Sequence, residues 1–307
     1  MIKTVTLNPA IDKTVEIDNF EINSVNRIKT IMLDAGGKGI NVSKVIKVLN
    51  GDSIATGFLA GINGQFVKNY LDGLDIKNDF VFINGETRIN LKVVDKINNT
   101  NTDINEPGNE VSSDDLMMLE NKIFNDLKED SILVLAGSVP CNVKKDIYKK
   151  WIEKAKDYKV KVLLDADGEL LKEGIKAGPY VIKPNVNELE RILDIKINDI
   201  NDVISSAKSL LDYGIEVVVV SLGEDGAVFV SREKVLRVKG ISVDVKSTVG
   251  AGDSMVAALA YSIEKGYDLE NSASLAVAAA TANVASPGTQ PPKIEDILKY
   301  KNMVNIS

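Results

Sequence analysis

The chain has 307 residues, 37 Lys plus Arg against 44 Asp plus Glu, a formal charge of −7, no histidine and one cysteine, Cys141. Without histidine there is no Ser–His or Cys–His couple and no imidazole metal ligand, and a single cysteine closes no internal disulfide and builds no thiolate zinc site. Acid–base chemistry therefore falls to Asp, Glu, Lys, Tyr or Cys141, and the acidic balance argues against nucleic-acid binding while leaving small anionic ligands open, because these answer to local charge.

Met1–Leu7 reads as a short strand that runs into Asn8-Pro9. It has neither the apolar core nor the cleavage site of a signal peptide, and nowhere do about 18 apolar residues follow one another, so a cytoplasmic protein without a membrane partner is expected. Thr14–Asp18 and Arg27–Leu33 are rich in β-branched residues and lack a helical period. Gly36-Gly37-Lys38-Gly39-Ile40-Asn41 is a glycine turn opening a helix over Val42–Leu49, and it carries a cation and an amide. In Thr87–Asp95, Ile89, Leu91 and Val93 alternate with Arg88, Asn90 and Lys92, the pattern of a half-exposed strand. The segments at about 13–34 and 86–106 thus predict a small β-sheet inserted into a single domain spanning 1–307. It is either a peripheral hairpin with a solvated charged face or a lid whose polar face closes over a ligand. Its free edge is open to a second copy of the chain, giving a homodimer, or to solvent.

The rest of the chain alternates apolar runs with helical segments. Ser131–Gly137, Lys161–Asp165, Tyr180–Lys183 and Glu216–Ser221 are strands buried on both faces, and helices are expected around 113–128, 143–157, 185–193 and 201–213. That rhythm predicts an α/β fold with a mostly parallel sheet covered on both sides. The strands end in Gly137-Ser138-Val139-Pro140, Asp165-Ala166-Asp167-Gly168, Lys183-Pro184-Asn185 and Ser221-Leu222-Gly223. Each cluster alone is an ordinary turn, but four at the carboxyl ends of parallel strands predict one shared crevice. The lone Cys141, next to Pro140, reads as a bystander.

Ser247–Tyr261 carries the sharpest signal. Gly250-Ala251-Gly252 sits at the N-terminus of a helix, rich in Ala, Met, Leu and Val from Gly252 onward, where bare backbone N–H groups and the helix dipole suit a phosphoryl group. Asp253 then stands in the first turn, where a bound phosphate would repel it. Either it caps the helix or it receives a proton from an attacking hydroxyl. Neither a G-x-x-x-x-G-K-[ST] loop nor a G-x-G-x-x-G fingerprint is present.

Seven motifs in order make the chain resemble the ribokinase-like sugar kinases, in particular their phosphofructokinase B (PfkB) group. They are Thr6–Asp12, Gly36–Asn41, Thr87–Asn90, Gly137–Pro140, Lys183–Glu188, Val220–Gly223 and Ser247–Ser254, and the likeness runs on to Gly288-Thr289. Arg88–Lys92 and Thr102–Asn105 are similar to the members that act on fructose 1-phosphate, with the tagatose 6-phosphate kinases next. The resemblance implies a three-layer α/β/α fold with a β-sheet lid. It also implies phosphorylation of the 6-hydroxyl of fructose 1-phosphate by ATP with Mg²⁺. It makes Asp253 the base and Gly250, Ala251 and Gly252 the anion hole. Asp12, Gly37 and Asn41 would hold the sugar. Arg27, Lys38 and Arg88, with Asn90 and Ser138 nearby, would hold the phosphate it already carries. Lys183, Asn185, Ser221, Gly223, Gly226 and Asn283 would hold nucleotide, and Glu188 would organise Mg²⁺ through water. One departure is Asn142, where the family has glycine two residues after Pro140. Asn tolerates positive φ next best, so the turn is expected to survive.

If Asp253 is the base, Asp253→Asn lowers turnover by orders of magnitude while ATP binding is largely kept. Turnover within tenfold of the parent, measured alongside nucleotide titration, would remove Asp253 from that role.

Overall fold

In the computed structural model, which describes residues 1–286 and 290–306, the strand-and-helix rhythm becomes two sheets. Gly288 and Thr289, the end of the family-like pattern, lie outside the described residues. In chain order, β1 (Ile2–Thr6) opens the main sheet, β2 (Ala10–Ile17) and β3 (Ile28–Gly36) leave it as a hairpin, and α1 (Lys38–Val48) leads back to β4 (Ser53–Ala60). Then come α2 (Gly61–Gly73), the short β5 (Lys77–Asn78) and β6 (Val81–Ile83), and a second hairpin of β7 (Arg88–Asp95) and β8 (Thr100–Asn105). After α3 (Ser113–Phe124), strand and helix alternate through β9 (Ile132–Ala136), α4 (Ile147–Asp157), β10 (Lys161–Asp165), α5 (Gly168–Ile175), β11 (Val181–Ile182), α6 (Val186–Leu193), α7 (Ile200–Leu210) and β12 (Val217–Ser221). A hairpin of β13 (Gly226–Ser231) and β14 (Val235–Lys239) precedes α8 (Ala251–Glu264), α9 (Leu269–Val284) and α10 (Ile294–Lys301).

The main sheet runs β14-β13-β12-β11-β10-β9-β1-β4-β5, with β6 also on β4. It is parallel from β12 to β5, and the β13–β14 hairpin adds the antiparallel edge. Its strands β9 and β12 are apolar on both faces because both faces are covered. Along β9, Leu133 and Leu135 enter one core with Trp151, Leu170 and Leu210, while Ile132, Val134 and Ala136 enter the other with Val256, Leu259 and Ala276. This two-residue alternation produces three layers. The strand order reverses at β1, which has β4 on one side and β9 on the other. At such a switch point the connections leave in opposite directions and open a crevice beyond the carboxyl ends.

The second sheet, in the order β3-β2-β7-β8, consists of the two inserted hairpins, with β2 and β7 parallel and the outer pairs antiparallel. It begins at Ala10 and reaches Gly36, slightly wider than the sequence pattern suggests. Its own apolar cluster is small, Val15, Ile17 and Val93, with Phe20 and Leu91 against it. A polar staple supplements it: the buried Asp95 carboxylate accepts from the backbone N–H groups of Phe20, Ile97 and Asn98 and from Asn98 Nδ2. In register, Asp12 and Asn90 stand side by side with Asn105 beyond, then Thr14, Lys92 and Asp103. Leu33, Leu91 and Ile104 share the opposite face.

Two helices start earlier than the apolar period suggests. The one expected at Val42 begins at Lys38, with Asn41 N–H already bonded to Gly37 O at 2.9 Å, and α8 begins at Ala251. Glycine turns hide these starts, because the first turn of each helix mixes glycine with polar residues and so breaks the apolar period. Asn142 does not take a positive φ. It keeps its turn by another route, its amide donating to Val111 O at 2.8 Å and accepting from Val111 N–H at 3.2 Å. No helix among the described residues is long and apolar enough to cross a membrane.

Candidate active site

Two glycine turns aim helix N-termini into the crevice. Gly250, the N-cap of α8, is left-handed at φ 84° and ψ −4°, and no side chain caps the helix, so its first N–H groups are free for an anion. Asp253 does not cap either. Its Oδ2 accepts from Asn41 Nδ2, in the first turn of α1, at 2.8 Å. A capping carboxylate would bond backbone N–H groups of its own helix, so this contact across the crevice separates the two readings of Asp253. Burial, and then the negative charge of Asp165, push the Asp253 carboxyl up to about 6, against the restraint of Lys38, Asn41 and Lys183. A carboxylate titrating near neutrality suits general-base work.

Asp165, which the sequence shows as a strand-end turn former, is the buried centre of charge. Its Oδ1 lies 3.3 Å from Lys38 Nζ and 3.5 Å from Lys183 Nζ. Burial alone would raise its carboxyl, but Lys183 and Lys38 outweigh this and hold it below the usual carboxylate range. Burial likewise disfavours the Lys38 ammonium, but Asp165, Asp253 and Glu188 outweigh it and hold the group above its ordinary range. Lys183 is 8% exposed, no surface lysine, and its Nζ lies 3.1 Å from where a side chain on Gly252 would begin. Lys38 thus turns toward the sheet and the α8 turn. An Asp closing the otherwise apolar β10 is the signal that marks Asp165, since a buried carboxylate requires partners.

The lid supplies the opposite wall. Asp12 Oδ1 accepts from Asn90 Nδ2 at 2.9 Å, and burial raises its carboxyl. Gly36 allows the close approach, because a Cβ there would stand 2.3 Å from Asp12 Oδ2. Arg88 donates to Glu106 O at 2.9 Å and to Asn8 O at 3.2 Å, tying the end of β8 to the turn after β1. Asn8 Nδ2 in turn reaches Ser138 Oγ at 3.4 Å. The four strand-end clusters and the polar face of β7 meet in one cavity of about 570 Å³. Among its lining residues are Asp12, Gly37, Lys38, Asn41, Arg88 and Asn90, with Ser138, Lys183, Glu188 and Asp253 across from them. Lys92, Thr14, Asp103 and Asn105 line it too, although sequence reasoning gave them no role.

A second cavity of about 830 Å³ adjoins the first and shares Asn185, Ser221 and Gly252 with it. Gly223, Gly226 and Ala251 line it, against an apolar wall of Val243, Val245, Met255 and Val284 that in sequence looks like ordinary core. Asn283 lines neither cavity and instead backs the α8 turn, 3.2 Å from where a side chain on Gly250 would begin. Asn185 and Glu188 form a reciprocal capping box on α6, which occupies Glu188 Oε2 and leaves Oε1. Arg27, grouped with Lys38 and Arg88 by the resemblance, lines neither cavity in this chain. It is exposed in the β2–β3 connection, beside Asp18, Glu21 and Lys29, because the hairpin carries its tip away from the crevice. Cys141 is exposed and lines neither cavity.

An anion cradle, a near-neutral carboxylate and two lysines at the junction of a polar and an apolar cavity suit group transfer from an anionic donor to a hydroxyl. The model of the pfkB family of carbohydrate kinases matches residues 5–296. A 1-phosphofructokinase of Borreliella burgdorferi is 38% identical over 283 residues, 92% of this chain and 91% of that protein. A tagatose-6-phosphate kinase of Staphylococcus epidermidis is 34% identical over 263 residues, 85% of this chain and 84% of that protein. The crystal structure of phosphofructokinase-2 from Escherichia coli in complex with substrates and products superposes with a TM-score of 0.95 at 29% identity, covering 98% of each chain.

The Asn41 bond favours the charged form of Asp253, so its removal has a defined sign. In a carboxyl ¹³C titration assigned against Asp253→Asn, Asp253 is expected to titrate near 6 and to move upward in Asn41→Leu. A midpoint near the ordinary aspartate value in the parent would contradict the buried, Asp165-facing geometry.

Proposed function

Because the chain belongs to the pfkB family of carbohydrate kinases, we propose that it transfers the γ-phosphoryl group of ATP to the 6-hydroxyl of fructose 1-phosphate, giving fructose 1,6-bisphosphate and ADP. The observation that carries this reading is the buried Asp253 at the N-terminus of α8, bonded to Asn41 where the two cavities meet at Gly252. The polar cavity takes the ketose phosphate. Asp12, Asn90 and Asn41 hold ring hydroxyls and direct the 6-hydroxyl at Asp253, while the phosphate already present lies along the polar face of β7. The apolar cavity takes the nucleotide along Ser221, Gly223 and Gly226, with Asn185 at the junction.

In the transfer, the 6-oxygen bonds to the γ-phosphorus, the bond from that phosphorus to the β–γ bridging oxygen breaks, and the hydroxyl proton passes to Asp253. The backbone N–H groups of Gly250, Ala251 and Gly252 hold the moving phosphoryl, and Lys38 and Lys183 neutralise charge beside it. Glu188 Oε1 and the buried Asp165 Oδ2, which has no hydrogen-bond partner, are hard oxygen donors beside the same cavity, a set that fits Mg²⁺ with much of its water. Mg²⁺ bound with the nucleotide supplies further neutralisation of the phosphates.

A second reading, phosphorylation of tagatose 6-phosphate, is supported by the likeness to the tagatose-6-phosphate kinase. For partners, the reading is a homodimer through the lid. Ile31 and Leu33 of β3 and Ile104 of β8 are 43–56% exposed on the face turned away from the cavity, and β3 and β8 are the free edges of that sheet.

A coupled ADP-release assay with fructose 1-phosphate, tagatose 6-phosphate and fructose 6-phosphate tests the substrate. The highest kcat/KM is expected for fructose 1-phosphate, with an acid limb that loses about tenfold per pH unit below about 6, since the base works deprotonated. A higher value for tagatose 6-phosphate selects the second reading, and no ADP with any ketose phosphate overturns both. Light scattering at micromolar concentration should give twice the chain mass, and Ile31→Lys with Leu33→Lys the mass of one chain. A monomeric parent removes the dimer.

A further inference from the structure

The cavity-facing side of the lid carries a cation that the proposed mechanism leaves unused. Arg88, Asn90 and Lys92 leave β7 on the same side at two-residue spacing, roughly 7 Å apart, and all three line the polar cavity. Asn90 is bonded to Asp12, and Arg88 is fastened to two backbone carbonyls. Lys92 is held differently. Its side chain is 18% exposed, yet its nearest ionic partner is Asp103 Oδ1 at 3.7 Å, beyond hydrogen-bond distance. Asp103 itself is 56% exposed on the edge strand β8. In register, Lys92 lies between Thr14 of β2 and Asp103 of β8, and both of these line the cavity. An ammonium at the end of a mostly buried side chain, with three donors and one long, exposed carboxylate contact, exchanges readily to a stronger acceptor, and a phosphate dianion is one.

We propose that Lys92, with the Thr14 hydroxyl beside it, binds the phosphate already carried by the ketose and makes the kinase select phosphorylated sugars, with Asp103 as its exchangeable counter-ion. This rests on the reading of the chain as a ketose-phosphate kinase. Asn90, in the middle of the row, reads a hydroxyl through its pairing with Asp12. Lys92, one row further out, reads a charge. A neutral ketose offers nothing to displace Asp103, so the discrimination lies in one ion-pair exchange. Asp103 works against binding, because its carboxylate repels the incoming phosphate and competes for the same ammonium.

The test measures kcat and KM for fructose 1-phosphate, unphosphorylated fructose and ATP in Lys92→Met, Lys92→Arg, Asp103→Asn and the control Lys96→Met. Lys96 pairs with Glu16 on the lid with its side chain 68% exposed, and it lines neither cavity. Lys92→Met is expected to raise KM for fructose 1-phosphate at least tenfold, with less than threefold change in kcat, in KM for ATP and in kcat/KM for fructose. Lys92→Arg should recover part of the loss, and Asp103→Asn should lower KM for fructose 1-phosphate two- to fivefold. If Lys92→Met affects fructose and fructose 1-phosphate alike, or if Asp103→Asn raises KM as Lys92→Met does, the pair is structural and the proposal falls. A parent active on ketose phosphates with an unaffected Lys92→Met overturns this assignment alone. A parent that releases no ADP with any ketose phosphate overturns the functional reading and this one with it.

Discussion

The carboxylate of Asp165, buried between Lys38 and Lys183, is the interaction on which the site depends. Each ion comes from a different part of the fold: Lys38 opens α1, Asp165 ends β10 and Lys183 follows β11. Two ammonium groups, the buried Lys183 and the partly exposed Lys38, are thereby held together beside the α8 turn, where alone they would repel each other. The same negative charge reaches Asp253 and raises its carboxyl. One buried anion thus fixes positive charge beside the cradle and, after the burial of Asp253 itself, helps to poise the base near neutrality.

That arrangement follows from the sheet. The parallel strands direct their carboxyl ends to one side, and the reversal of order at β1 opens the crevice there. Two helices then begin at glycine turns facing each other across it, and the Asn41–Asp253 hydrogen bond joins their first turns. Helix α8 is apolar from Met255 to Ala260 where it is buried beneath the sheet, and its reactive polar groups, Asp253 and the first backbone N–H groups, stand at the end that meets the crevice. Stability and chemistry are separated along the same helix.

The lid divides by face in the same way. Its strand alternation gives one polar side, with Asp12, Asn90 and Lys92 toward the cavity, and one apolar side, with Leu33, Leu91 and Ile104 away from it. A sheet this small has little core of its own, so backbone bonds to Asp95 and the Arg88 clamp to Asn8 and Glu106 take over part of the work of burial. The clamp also ties the lid to the loops that carry Ser138, which couples the lid's position to the crevice floor.

Much of this is legible in the sequence because it rests on local rules. Uninterrupted Val, Ile and Leu runs specify strands buried on both faces, Gly-rich turns mark helix starts near anions, and the alternation from Arg88 to Lys92 identifies a two-faced strand. The crevice was legible too, as four polar clusters at strand ends. Other features depend on which distant residues meet. Asp165 reads as a turn former until two lysines from remote segments converge on it, and half of the Glu188 carboxylate, expected to organise Mg²⁺, is taken by the α6 cap. Arg27, grouped by charge with Lys38 and Arg88, is carried to the far end of a hairpin. The sequence determined the elements and the chemical types available to the site. Tertiary structure alone decided which charges are partnered and desolvated, because Coulomb energy and burial depend on distances that chain order does not encode.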